Sequence, residues 1–196
     1  MIRPATHDDI PRLVELGTLL HDTSAYARTG FNAEKVGNFL GQLIDGLGVV
    51  FAAEVNGEVV GGFAGAVTEQ WFSDDLLAYE YSIFIEPSKR QGLIALKLVL
   101  AFQAWAKAKG AKEIHMGITT GISVEGTSRL YRRLGFTYVG PLFKMEVDHE
   151  EQMVFSHRSN HVHCCDRNDP VRCGNGHRVR PSPGKGRSAI EGGDHH

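Results

Sequence analysis

The first 163 residues contain no cysteine, and the three cysteines of the chain, Cys164, Cys165 and Cys173, all lie beyond them. A disulfide framework for the main body is therefore excluded. The chain also has no excess of positive charge, because 21 Lys and Arg stand against 23 Asp and Glu and give a net charge of -2. The composition therefore does not favour a nucleic-acid partner.

Long apolar runs are missing as well. The most apolar stretch, residues 93–102, is interrupted by Lys97, and it is much shorter than the roughly 20 residues that a membrane helix needs. The chain starts with Met1-Ile2-Arg3-Pro4 and lacks the apolar core of a secretory signal. We therefore expect no membrane partner and a cytoplasmic location.

The composition changes near residue 148. Residues 1–148 alternate periodic apolar segments with turn signals, which predicts one domain of mixed α and β structure. Residues 149–196 are rich in His, Arg, Gly, Ser and Pro and have few apolar side chains. Because such a segment buries too little apolar surface to offset its chain entropy, we predict a disordered tail.

The tail contains several side chains of the metal-ligand type. It has no Cys-x-x-Cys pair, and adjacent cysteines rarely serve one tetrahedral site. No core surrounds these residues to fix a ligand geometry, so the sequence predicts no specific metal site. The side chains in question are His161, His163, Cys164, Cys165, Cys173 and His177.

The predicted element order of the domain is β-α-α-β-β-β-α-β-α-β. Its clearest part is a hairpin, in which strands at Val49–Val55 and 59–67 flank Asn56-Gly57. That dipeptide accepts the positive φ angles of a type I′ turn. The motif Gly61-Gly62-x-x-Gly65 lies inside the second strand with no helix after it, which indicates close packing or a bulge rather than a dinucleotide loop.

The later elements include a strand, a basic turn and a helix in direct succession. The strand at residues 77–85 leads through Lys89 and Arg90 into a long helix that ends near Lys109. Unpaired amides at a helix N-terminus are suited to binding phosphate, although a solvated surface turn is the alternative for such a segment taken alone. A helix at 124–134, capped by Ser123, and a final strand at 136–147 complete the domain.

Three features together resemble the GNAT superfamily of N-acetyltransferases over roughly residues 1–147. They are the element order, the Ile85-x-Pro87-x-x-Arg90 entry to the long helix, and Leu130-Tyr131-Arg132-Arg133-Leu134-Gly135-Phe136. The resemblance implies an α/β fold with a mixed, mostly antiparallel central sheet flanked by helices. It also implies an enzyme that moves an acetyl group from acetyl-CoA, a co-substrate, to a primary amine by direct attack in a ternary complex, with no metal required. The acceptor would be a small-molecule amine or a protein amine, and a homodimer is left open.

In this family the turn after the fourth strand has the pattern Gln/Arg-x-x-Gly-x-Gly/Ala, and its amides bind the pyrophosphate. This sequence can be aligned with the pattern in two registers. In the first, which runs from Arg90 to Ala95, Leu93 stands at the position of the middle glycine. In the second, which runs from Lys89 to Ile94, Gly92 stands at that position. We favour the second register. The preceding strand end would offer main-chain groups to the pantetheine. The positions so assigned to the cofactor are Phe84, Ile85, Lys89, Arg90, Gln91, Gly92, Leu93, Ile94 and Ala95.

The resemblance also suggests two catalytic side chains. Tyr131 would protonate the departing thiolate, its alternative being an ordinary core residue of an amphipathic helix. Glu80 would take the proton of the amine, and a solvated strand carboxylate is an equal alternative; an offset of one residue would turn it to the other sheet face. Val124 stands where the family often has Asn. This departure and the imperfect glycine pattern favour, as the alternative function, a catalytically inactive CoA-binding or ligand-sensing module.

The family builds its acceptor pocket from the first two helices and variable loops, here about residues 22–32 and 68–77. Neither stretch carries a motif whose chemistry names a ligand. The identity of the acceptor amine therefore has to come from the structure of the pocket.

Overall fold

A computed structural model describes residues 1–90, 92–145 and 147. The predictions for the tail and its Cys and His residues, and the assignment of Gln91 to the cofactor, lie outside the described residues. Residues 1–143 form one unit, to which the following description refers. Its helices and strands are β1 (Ile2–Pro4), α1 (Ile10–Asp22), α2 (Ala33–Gln42), β2 (Val49–Val55), β3 (Glu58–Gln70), β4 (Ser73–Ile85), α3 (Ile94–Ala108), β5 (Glu113–His115) and α4 (Val124–Arg133).

The strands form a five-stranded sheet in the order β1-β2-β3-β4-β5. The first four strands pair antiparallel, and β5 joins β4 in parallel. This confirms the predicted mixed, mostly antiparallel sheet flanked by helices. The ladder between β4 and β5 has its last pair at Tyr79 and His115, so the remainder of β4 pairs with β3 alone among the described residues.

Each face of the sheet carries its own apolar core because side chains alternate along a strand. Helices α1 and α2 pack Leu13, Leu16 and Leu40 on one face. Helices α3 and α4 cover the other face with Leu98, Phe102 and Tyr131. The two cores share β2 to β4 and fix both helix pairs relative to the sheet.

The predicted hairpin is confirmed by its turn geometry. Asn56 and Gly57 have φ angles of 53° and 85° between β2 and β3, as a type I′ turn requires. The close-packing interpretation of the glycines in β3 is also confirmed. A Cβ at Gly62 would lie 2.5 Å from the ring of Phe84, and one at Gly65 would lie 2.6 Å from the ring of Phe102.

A β-bulge interrupts β4 at Tyr81. The register pairs Ala64 with Ser82 but Gly65 with Glu80, so Tyr81 is one extra residue on β4. Ile83 and Ile85 therefore pack on the α3–α4 face together with Ala78, although an odd number of positions separates them from it. The bulge keeps both halves of β4 in phase with their cores.

Three sequence predictions differ from the structure. Strand β5 ends at His115 rather than near residue 119, and the described residues after 135 contain no strand. In that segment Gly140 adopts a φ of 154°, and Pro141 has no N–H to give a ladder. Ser123 occupies the N-cap position of α4, but at a φ of 48° its side chain makes no capping bond.

The N-terminal strand is tied to the first helix by an ion pair. The two terminal nitrogens of Arg3 donate to the two carboxylate oxygens of Asp9 at 2.7 and 2.8 Å, and the Thr6 N–H donates to the same carboxylate at 2.8 Å. The hydrogen bonds from Arg3 are the main reason that the pKa of Asp9 is lowered to about 2. Asp9 thus serves chiefly as the partner of Arg3.

No helix in the described part of the chain is both long enough and apolar enough to cross a bilayer.

Candidate active site

A cavity of about 900 Å³ opens where β4 and β5 separate. Its lining includes residues of α1 and α2 from one face of the sheet and residues of α4 from the other. The cavity therefore reaches both faces through the gap beyond Tyr79 and His115. Both predicted catalytic residues, Glu80 and Tyr131, line it.

Glu80 and Tyr131 contact each other within this cavity. The Tyr131 hydroxyl donates to Glu80 Oε2 at 3.4 Å, a long and therefore weak bond. The N–H of Gly117, just beyond β5, donates to Glu80 Oε1 at 3.0 Å. The carboxylate is thus held from two sides, and the structure brings together the pair that the sequence analysis had named from separate motifs.

Burial changes the acidity of both groups. Loss of solvation raises the pKa of Glu80 to about 7, and the hydrogen bonds from Gly117 and Tyr131 only partly oppose this. Burial, together with the charge of Glu80, raises the pKa of Tyr131 well above its ordinary value. Glu80 is consequently half ionised near neutral pH, whereas Tyr131 keeps its proton there more firmly than a solvated phenol.

The predicted cofactor loop forms a single 3-10 turn, Pro87–Lys89, followed by the start of α3 at Ile94. Leu93 occupies the N-cap position of α3 and makes no side-chain capping bond. The first amides of a helix have no partner within the helix. Among the described residues no side chain caps this N-terminus, which borders the cavity and is suited to binding an anion.

Gly92 differs from the packed glycines of β3. A Cβ at Gly92 would meet only the carbonyl oxygen of Lys89, at 3.7 Å, an ordinary contact. The fold itself thus places no close neighbour against Gly92, which lines the cavity together with Leu93 and Ala95. The Leu93 side chain is 64% exposed.

The end of β4 contributes main chain rather than side chains. The side chains of Phe84 and Ile85 are buried in the two cores. Arg90 folds back on this strand, where its Nε donates to the carbonyl oxygen of Ile85 at 3.1 Å and its Nη2 lies 3.5 Å from the Thr23 hydroxyl. Arg90 therefore connects the loop to the end of α1.

Two sections of the cavity wall differ in chemistry. The first, here called the basic wall, comprises the N-terminus of α3 and the arginines Arg90, Arg129 and Arg133. The second, here called the aromatic wall, lies on α1, α2, the segment between them and the bulge of β4. Its rings are His21, Tyr26, Phe31, Phe39 and Tyr81.

The rings of the aromatic wall were not predicted from the sequence. Of residues 22–32, which were expected to build the pocket, Ser24, Tyr26, Thr29 and Phe31 line the cavity, whereas residues 68–77 contribute no lining residue. Trp71, at the tip of the β3–β4 hairpin, is 93% exposed. Rings brought together from α1, α2 and a bulge have no common spacing, so no motif could have identified them.

The family model of the acetyltransferase (GNAT) family matches residues 16–136. The chain belongs to this family. The match begins within α1 and includes α2, α3 and α4, the gap between β4 and β5 and the Glu80–Tyr131 pair. No curated protein matches the chain.

Solved structures share this fold of the GNAT family. An aminoglycoside acetyltransferase from an uncultured soil metagenomic sample is 20% identical, covers 76% of this chain and 98% of its own, and has a TM-score of 0.58. The aminoglycoside N-acetyltransferase AAC(6')-Iy in complex with CoA is 18% identical over 76% of this chain and 99% of its own, with a TM-score of 0.57. A transcriptional regulator from Bacillus halodurans C-125 is 21% identical over 75% and 99%, with a TM-score of 0.61. At these identities the likeness concerns the fold.

Proposed function

We propose that this protein transfers an acetyl group from acetyl-CoA to a primary amine by direct attack in a ternary complex. The observation that carries the proposal is the contact between Glu80 and Tyr131 at the gap between β4 and β5. Membership of the acetyltransferase family and a CoA-bound structural neighbour support the same donor.

Acetyl-CoA is an anionic thioester, and the basic wall offers what its phosphates need. The uncapped amides at the start of α3 would bind the pyrophosphate, with Lys89, Arg90 and the open face of Gly92 beside them. The edge of β4 past Tyr79 has no β5 partner, so its main chain is available to an extended pantetheine. These residues fit the co-substrate without a metal ligand.

Glu80 acts as the base. An ammonium must lose a proton before its nitrogen can attack a thioester, and a carboxylate with a pKa of about 7 is suited to accept it at neutral pH. The new bond joins the amine nitrogen to the acetyl carbon, and the carbon–sulfur bond breaks.

Tyr131 acts as the acid that protonates the leaving sulfur. The negative charge of Glu80 helps to hold the pKa of Tyr131 high, so protonation of Glu80 makes the phenol a better acid at the moment the thiolate forms. The proton on Glu80 then returns to Tyr131 along their hydrogen bond. Of the two protons that the nitrogen loses, one ends on CoA and the other reaches solvent.

Two measurements on the full chain test this function. Calorimetric titration with acetyl-CoA is expected to give micromolar binding, and a panel of primary amines is expected to release CoA thiol in an enzyme-dependent manner. Binding with no thiol release from any amine would instead identify a CoA-binding module, and absence of binding would refute both functions.

A further inference from the structure

The cavity lining carries more cationic than anionic side chains. Among the described lining residues Glu80 is the only carboxylate, whereas Arg90, Arg129 and Arg133 are cationic. The three arginines belong to the basic wall, which faces the phosphates of acetyl-CoA, so a ligand with several ammonium groups would find one counter-charge among the described lining residues. An ammonium left in a cavity without a counter-charge opposes binding, so this lining does not suit the polycationic aminoglycosides that name several structural neighbours.

The aromatic wall, in contrast, favours a ligand that has a flat apolar body. The rings of Phe39 and Tyr81 meet edge to face with their centroids 4.7 Å apart, and His21 and Phe31 lie 5.3 Å apart. Tyr81 is further held by a 2.8 Å hydrogen bond between its hydroxyl and that of Tyr79. Rings fixed in this way form a preorganised surface against which a flat apolar body can pack.

Glu80 and the aromatic wall lie at opposite sides of the same gap. The bulge directs Tyr81 towards Phe39 on the α1–α2 face, while its neighbour Glu80 contacts Tyr131 of α4. An amine nitrogen at Glu80 would thus have its carbon body on the side of the rings. The one carboxylate among the described lining residues can pair with one ammonium.

From this arrangement we infer that the acceptor is a small monoamine whose primary amino group is joined by a short chain to an aromatic ring, that is, an arylalkylamine. The inference rests on the proposed acetyl transfer and gives it a substrate class. The ring would occupy the aromatic wall, and the single ammonium would lose its proton to Glu80.

The test compares amines on the full chain at saturating acetyl-CoA. We expect kcat/KM for 2-phenylethylamine to exceed that for n-butylamine at least tenfold, the discrimination that an apolar pocket of this kind gives. Sisomicin and lysine amide are expected to react at least a hundredfold less efficiently. Faster turnover of sisomicin or of lysine amide would overturn the inference and leave the proposed acetyl transfer intact.

A variant assigns this preference to the wall. Phe31→Leu should raise KM for 2-phenylethylamine about tenfold with little change in kcat. Phe72→Ala, at the exposed hairpin tip and outside the cavity lining, serves as the control and should keep the parent KM. An unchanged KM in Phe31→Leu would contradict the proposed role of the wall.

Binding separates failure of this inference from failure of the proposed function. Calorimetry of 2-phenylethylamine into the CoA-saturated protein is expected to give heat, and sisomicin is expected to give none. If acetyl-CoA binds but 2-phenylethylamine does not, the substrate class is wrong and the donor is right. If acetyl-CoA itself fails to bind, the proposed function fails with it.

Discussion

The basic wall and the aromatic wall of one cavity are built on different principles. The basic wall combines main-chain amides at the start of α3 with Arg90, Arg129 and Arg133, and Gly92 and the open edge of β4 lie beside it. The aromatic wall relies on side chains that packing from three elements brings together. A main-chain site constrains residues next to one another in the sequence and leaves a motif, whereas a site made of dispersed side chains leaves none.

The largest effect is expected from removing Glu80, the proposed base, which lies between the two walls. Glu80→Gln keeps groups that can hydrogen-bond to Gly117 and Tyr131 but cannot accept the proton of the amine. We expect kcat to fall 10²- to 10³-fold, in the usual range for a lost base, with acetyl-CoA affinity unchanged. Steady-state kinetics and calorimetry on the same preparation check both values.

The pH dependence of the reaction rate tests the same role of Glu80. The wild-type rate should rise with pH through about 7, because Glu80 must be ionised to act and its pKa is about 7. The rise should be missing from whatever activity Glu80→Gln retains. A wild-type rate that is flat between pH 6 and 8 would contradict the assignment of Glu80 as the base.

The same substitution should stabilise the fold. The pKa of Glu80 is raised above its ordinary value on folding, so its contribution to stability is full below that ordinary value and is lost as the pH rises through about 7. At pH 8, Glu80→Gln should therefore raise the free energy of unfolding by about 1–3 kcal/mol. Urea unfolding at pH 8 and pH 4.5 checks this, and an equal gain at both pH values would argue against a buried charge.

The next effect concerns Tyr131, the proposed acid. Tyr131→Phe should lower kcat about 10- to 100-fold without weakening CoA binding. Because the hydrogen bond from Tyr131 lowers the pKa of Glu80, its removal should also move the rise in the pH profile to higher pH. A drop in rate without that shift would show that the two groups act independently.

A pair of glycines sharpens the contrast between a binding position and a packing position. Gly92→Ala places a Cβ where the protein has room, so the unfolding midpoint should stay the same while acetyl-CoA affinity falls about tenfold. The control, Gly62→Ala, places a Cβ 2.5 Å from the ring of Phe84 and should destabilise the fold by about 1–3 kcal/mol. Unchanged CoA affinity in Gly92→Ala would remove Gly92 from the cofactor site.

The smallest functional effect is expected far from both walls. Asp9→Asn breaks the paired hydrogen bonds with Arg3 and should lower the free energy of unfolding by about 2 kcal/mol at pH 7, with kcat/KM unchanged. Because the pKa of Asp9 is lowered to about 2, the wild-type advantage exists above the ordinary Asp pKa and is lost as the pH falls towards 2. Unfolding curves at pH 7 and pH 3 test this, and a constant difference would contradict it.

Local chemistry made much of the fold predictable. The Asn56-Gly57 turn, the glycines of β3 and the long helix that ends just before Lys109 each follow from a rule about a few adjacent residues. The prediction of a final strand was wrong, because Pro141 has no N–H to give to a ladder and interrupts the apolar run. The sequence named Glu80 and Tyr131, but their roles stay predictions until the variants are measured.

What the sequence could not reveal is the position of side chains after a change of register. A bulge of one residue has no reliable signature, yet the placement of Glu80 beside Tyr131 and of Tyr81 beside Phe39 depends on where it falls. The aromatic wall was missed for the same reason, since its members are adjacent only after the chain has folded.

The bulge at Tyr81 also bears on how such an enzyme could diversify. An added residue normally reverses the orientation of every later side chain in a strand, but here the sheet absorbs it locally, and Ile83 and Ile85 remain with Ala78 on one face. A substitution at position 81 therefore changes a side chain that projects from a bulge and leaves the pairing of the flanking strand as it is. For the proposed acetyl transfer, such a substitution would alter the acceptor side of the cavity and leave the positions proposed for the donor in place.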